Sequence, residues 1–93
     1  MSFEWDEAKR LSNLIKHGVD FRRAMQLFNG RVIEVADHRH DYGEVRIRCL
    51  GKIDGRIYSV TYTWRGPNRR IISARKANGR ETRTYYAHDA RGG

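Results

Sequence analysis

One cysteine, Cys49, and one proline, Pro67, stand in the 93 residues. A lone thiol excludes an internal disulfide, so the chain must hold itself together by packing. Long apolar runs are missing as well. The longest is Tyr85-Tyr86-Ala87, which argues against a membrane span or a signal peptide and predicts a cytoplasmic protein. The length suits one domain over residues 1–93 with one modest core, and leaves no room for a second catalytic domain.

Acids are scarce too. Eleven Asp and Glu face nineteen Lys and Arg, a net charge of +8, which favours a polyanion such as nucleic acid or an acidic protein. Fifteen of the nineteen are Arg, whose planar fork matches phosphate oxygens and whose flat face stacks on bases, so the balance leans toward RNA or DNA. Eight basic residues lie from Arg65 to Arg91 against only Glu81 and Asp89, whereas residues 1–64 carry eleven against nine. The positive field is concentrated in the C-terminal third. The plain alternative is a solvated basic surface.

Phe3 and Trp5 flank polar Glu4 and predict a short first strand. Asp6 is placed to cap a helix running to His17, which Gly18 stops. Within it Ala8, Leu11, Leu14 and Ile15 share one face, so the helix is expected to lie with that face on a sheet. Asp20 caps a second helix carrying Phe21, Ala24, Met25 and Phe28, with Val19 and Ala24 as a hydrophobic staple. Asn29-Gly30 ends it.

Val32, Ile33 and Val35 predict a strand, and Asp37 to Gly43 a polar loop. Strands over Glu44–Ile53 and Arg56–Trp64 are joined by Asp54-Gly55, a type I′ hairpin turn. After Pro67, Arg70 to Arg75 forms the next strand of an antiparallel meander. A short helix is expected over Arg80–Ala87, with Glu81 and Tyr85 one turn apart, and a frayed tail from about residue 89. The expected fold class is α+β: an antiparallel meander with two N-terminal helices on one face and a short C-terminal helix.

The pattern Phe3-Glu4-Trp5-Asp6-x-x-Lys9, then Asn13-x-x-Lys16-His17-Gly18-Val19, resembles the start of BrnT-family toxins of type II toxin-antitoxin systems. Gly43-Glu44-x-Arg46, the strand ending Tyr62-Thr63, and Arg70-Ile71-Ile72-Ser73-Ala74-Arg75-x-Ala77 with Glu81 follow in the family's order. The resemblance implies a RelE-like fold and an endoribonuclease that arrests translation. It also implies a BrnA-like antitoxin that covers the RNA-binding face, with operator DNA bound only through the complex.

RNA cleavage without metal needs a base for the 2′-OH, cations for the pentacoordinate phosphate and an acid for the 5′-oxygen. RelE-like nucleases resemble one another in supplying arginines, lysines and a tyrosine. The catalytic candidates here are therefore Arg75, Arg46, Arg65, Tyr85, Glu44 and His17. Arg75 leads, because alternation with Ala74 and Ile72 places it outside the core; its structural role would be an ion pair with Glu81. Arg46 alternates with Val45 and Ile47, expected to face the core. Glu44 is a base or an orienter of arginine, and His17 a general acid or base or a C-terminal cap.

Arg70, Lys76, Arg48 and Lys16 are candidate phosphate contacts. Among aromatics on strands, which usually pack the core, Trp64 beside Arg65 is the candidate for stacking on a base. His38 and His40 have ligand spacing but no Cys or third His nearby, so neither a metal site nor a cofactor is expected. Cys49 is expected to be buried and His88 solvated. Two other functions fit the charge: a non-catalytic basic nucleic-acid-binding module, and an interaction protein for an acidic partner.

Overall fold

A computed structural model describes residues 2–36 and 43–92. Most of the loop at 37–42, with His38 and His40, lies outside them. Along the chain come β1 (Ser2–Glu4), α1 (Glu7–His17), α2 (Phe21–Ala24), a 3₁₀ turn (Met25–Asn29), β2 (Val32–Ala36), β3 (Ile47–Ile53), β4 (Arg56–Arg65), β5 (Asn68–Lys76) and α3 (Gly79–Gly92). The five strands form one sheet in the order β1-β5-β4-β3-β2. β2 to β5 are the expected antiparallel meander, while β1 pairs parallel to β5 through Ser2–Asn68, Phe3–Arg69 and Glu4–Arg70.

Local chemistry sets the boundaries. Asp6 accepts hydrogen bonds from the N–H groups of Ala8 and Lys9 at 2.8 and 3.2 Å, and Gly18, at φ 72°, closes α1 by donating to Leu14 O. Asp20 likewise accepts from Arg22 N–H at 2.8 Å. Val19 and Ala24 are both buried, as the staple requires. The second helix tightens into the 3₁₀ turn after Ala24, so the expected single helix is two pieces. Asp54 and Gly55 both have positive φ, 48° and 81°, as a type I′ turn demands.

The sheet is covered on both faces. Phe21, Ala24 and Leu27 pack on Cys49, Val60, Tyr62, Ile71 and Ala74 on one side. On the other, Tyr85 and Ala77 pack on Leu50 and Ile57 beside Ile33 and Val35. Leu27 seats over Gly51, where a Cβ would come within 2.5 Å of its Cγ. The C-terminal helix is longer than its threonines predict and continues to Gly92, where a tail is expected.

Three expectations are overturned. β3 begins at Ile47, and Val45, expected in the core, is 76% exposed. The β4–β5 register slips between Thr61–Ser73 and Tyr62–Ile71, so Ile72 is an extra bulged residue. Ile71 and Ala74 therefore share the core face and Ile72 leaves it; Arg75 still lies opposite Ala74.

The third concerns α1, which lies against β5 with its polar side inward. Arg10 and Asn13 are buried, while Leu11 is 47% and Ile15 87% exposed. Asn13 supplies the reason. Its Nδ2 donates to Ala74 O and Val19 O at 2.8 Å, and its Oδ1 accepts from Ala74 N–H at 3.1 Å. β1 covers only the first part of β5, so this side-chain amide replaces the missing neighbouring strand. An apolar stripe there would leave those backbone groups unpaired, at about 1–3 kcal/mol each.

Candidate RNA-binding and catalytic face

Residues directly opposite in an antiparallel ladder share a face. Leu50, Ser59 and Arg75 are opposite one another, as are Arg48, Thr61 and Ser73, then Thr63 with Arg70, and Arg65 with Asn68. Leu50 packs under α3, so this whole set lies on the α3 side of the sheet. Beyond the part that α3 covers, that face is arginine over a floor of hydroxyls. From Ser59 to Arg65 it runs about 20 Å at about 3.3 Å per residue.

Three carboxylates order the arginines. Glu81 accepts both terminal nitrogens of Arg75, at 2.8 and 2.9 Å, and Nη1 of Arg48 at 2.6 Å. It also exchanges reciprocal bonds with Asn78, whose side chain accepts from Glu81 N–H at 2.8 Å, forming a capping box that starts α3. The Arg75 hydrogen bonds hold the Glu81 carboxyl below its usual range. Glu4 accepts from Arg70 at 2.7 Å and Asn68 at 3.0 Å, and these bonds lower its carboxyl in the same way, Arg70 foremost.

Glu44 is held far more loosely. It lies 3.5 Å from Arg46 and 3.6 Å from Arg65. Thr63 Oγ1 donates to Val45 O at 2.7 Å and so fastens the segment carrying Glu44 and Arg46 to β4. The face thus has two ends, Glu44-Arg46-Arg65 and Arg48-Arg75-Glu81, with Arg70 on β5 between Asn68, opposite Arg65, and Arg75.

Other candidates lie elsewhere. Tyr85 is buried and its hydroxyl donates to Arg31 O at 3.2 Å. Trp64 follows Tyr58, Val60 and Tyr62 onto the opposite face, where Arg69 lies over its ring at 4.7 Å. Lys76, opposite Tyr58, is on that side too. Lys16 and His17 line a shallow pocket with Lys9, Ser12 and Ser73 at the edge of β5. Cys49 is fully buried, and burial pushes its thiol up to about 12, so it is no nucleophile at neutral pH. His88 is exposed. Among the described residues no three of His, Cys, Asp and Glu gather as a metal site.

A family model described as the ribonuclease toxin BrnT of type II toxin-antitoxin systems matches residues 5–81. The chain belongs to the BrnT toxin family. The crystal structure of the Brucella abortus ribonuclease toxin BrnT is similar, with 28% identity and a TM-score of 0.68 over 84% of this chain and 97% of that one. No curated protein matches the chain. As a BrnT-family ribonuclease toxin it has an RNA substrate and an antitoxin partner, which decides against a non-catalytic basic module. Its α+β architecture agrees with the Brucella BrnT structure. No helix among the described residues is long and apolar enough to cross a membrane.

Sequence reasoning missed Glu4 and the full role of Glu81. The spacing Asn78-x-x-Glu81 was the available signal for the second. Thr63 needed the strand register.

Proposed function

We propose that this BrnT-family chain cleaves RNA without a metal at the Glu44-Arg46-Arg65 end of the arginine face, arresting translation in the cytoplasm. The observation that carries the reading is the contrast among the three carboxylates. Glu4 and Glu81 are consumed by short charge-assisted bonds, and a carboxylate so held is a weak base. Glu44 sits 3.5 Å or more from both its arginines. Among the described carboxylates of this face it is the one held by no short hydrogen bond, and we assign it as the base.

Glu44 accepts the 2′-OH proton as the 2′-oxygen bonds to phosphorus. Arg46 and Arg65 stabilise the charge on the pentacoordinate phosphate. The P–O5′ bond then breaks, leaving a 2′,3′-cyclic phosphate, and the 5′-oxygen takes a proton from water, which the half-exposed Arg65 side chain admits. Arg48, Arg70 and Arg75 grip neighbouring phosphates, and the strand continues over the β5 edge to Lys16 and His17. The BrnA-like antitoxin, and operator DNA through the toxin-antitoxin complex, follow from the same family reading, as does a RelE-like fold made of one domain.

Purified protein and a defined RNA test this. Glu44→Gln or Arg65→Ala is expected to lower kcat by about a hundredfold to a thousandfold, with a cyclic phosphate as the wild-type product and EDTA without effect. Complete loss of cleavage in EDTA, restored by Mg²⁺ or Zn²⁺, overturns the metal-free mechanism. An unchanged kcat in Glu44→Gln moves the chemistry to the Arg75 end.

A further inference from the structure

Leu11, Leu14 and Ile15 recur at i, i+3 and i+4 and form an apolar stripe on α1 that no described element covers. They are 47%, 37% and 87% exposed. Leu11 and Leu14 are ordinary core residues, and leaving three such side chains together on one helix face marks a contact surface. No described element can bury them, because Asn13 and Arg10 tie the other side of α1 to β5 and to Asp20.

We propose that this stripe is the anchor on which the antitoxin docks, through an apolar segment followed by carboxylates that reach Lys9 and Lys16. The proposal rests on the toxin reading, which supplies a protein partner. Charge selects the partner's character. On a helical wheel Lys9 and Lys16 lie about 100–120° round α1 from Ile15, beyond Ser12; both are exposed, and neither has an ion-pair partner among the described residues. On the opposite border Arg10 is already matched by Glu7 and Asp20.

A second copy of the chain is the wrong occupant. It would set +8 against +8, whereas an acidic segment gains from that field. RNA is equally unsuited to the stripe, since its phosphates find no cation among Leu11, Leu14 and Ile15. A stable complex buries about 800 Å² per partner, more than one face of a three-turn helix provides. The antitoxin chain must therefore extend past the stripe. Lys9 and Lys16 lead it to the pocket at the β5 edge, whose Ser73 belongs to the arginine face, so one continuous segment both anchors and blocks.

The test uses the full chain and its purified cognate antitoxin. Leu11→Glu with Ile15→Glu is expected to leave RNA cleavage unchanged and to weaken antitoxin binding about thirtyfold or more, as loss of central apolar anchors does. Inhibition of cleavage by the antitoxin weakens in parallel. Wild-type antitoxin affinity in that variant overturns the proposal. So does a free wild-type chain that elutes as a dimer while the variant elutes as a monomer, or a variant that loses RNA affinity and keeps the antitoxin. Ile15→Glu alone, at a side chain facing water, keeps the binding measurement available if the double variant unfolds. A wild-type chain that binds antitoxin but cuts no RNA defeats the nuclease reading and leaves the docking result standing.

Discussion

Glu81 does two jobs with four hydrogen bonds, receiving Arg48 and Arg75 and capping α3. Glu81→Gln separates them, because Gln also completes a capping box but carries no charge for the arginines. The expected loss at pH 7 is about 1.5–3 kcal/mol, the range for hydrogen bonds to charged groups. Its pH dependence has a definite sign. The carboxyl titrates below its ordinary 4.5 in the folded chain, chiefly through Arg75, so its contribution is present above 4.5 and fades as pH falls through the lower folded value. Melting curves of wild type and variant should converge as the pH drops below about 4.5. Curves that stay parallel down to pH 3 would show that the ion pairs add nothing.

Arg75 is the second test at this scale. Both its terminal nitrogens are committed to Glu81, and its proposed role is a phosphate grip next to the chemistry. Arg75→Ala should raise KM more than it lowers kcat and should cost about 1 kcal/mol in stability, as a partly exposed ion pair does. Arg75→Lys keeps the charge but loses the fork and should recover part of the affinity. A kcat lowered a hundredfold at unchanged KM would make Arg75 the residue on the scissile phosphate instead.

Among the elements, α1 depends on a single amide. Asn13 pairs both backbone groups of Ala74 and the carbonyl of Val19. Asn13→Ala strands them, and a buried unpaired group costs about 1–3 kcal/mol. Asn13→Asp, although the same shape, should be worse, since it aims a carboxylate at two carbonyl oxygens. Denaturant midpoints would rank the three chains; Asp equal to Asn would refute the amide's role as a substitute strand. On β3, Gly51→Ala drives a Cβ into Leu27 and should cost about 1–3 kcal/mol by overpacking.

For the molecule as a whole, charge governs encounter with RNA. Five arginines share the face with three carboxylates, so about two to four phosphates should be neutralised at once. Single strands lose about 0.7 in log affinity per phosphate for each tenfold rise in salt, which predicts a slope of about −1.4 to −2.8. Arg70→Ala should make it shallower by about 0.7 for any RNA sequence. A slope near zero in the wild-type chain would mean that the arginine face does not carry the RNA.

Sequence alone determined what depends on near neighbours. Asp6 and Gly18 bounded α1, Asp20 with Val19 and Ala24 started α2, and Asp54-Gly55 set the hairpin, because caps and tight turns are decided within a few residues. The family likeness was legible too, in ordered motifs along the chain. Tertiary structure decided the rest. Apolar periodicity predicted that Leu11, Leu14 and Ile15 would be buried, but the unpaired edge of β5 required hydrogen bonds that only Asn13 could supply, so α1 turned over. A one-residue bulge at Ile72 moved an apolar side chain out of the core. The division of the arginines between a locked end and a loose end depends on which carboxylate reaches which guanidinium across strands. Those distances arise only when segments far apart in sequence are brought together by the register of the sheet.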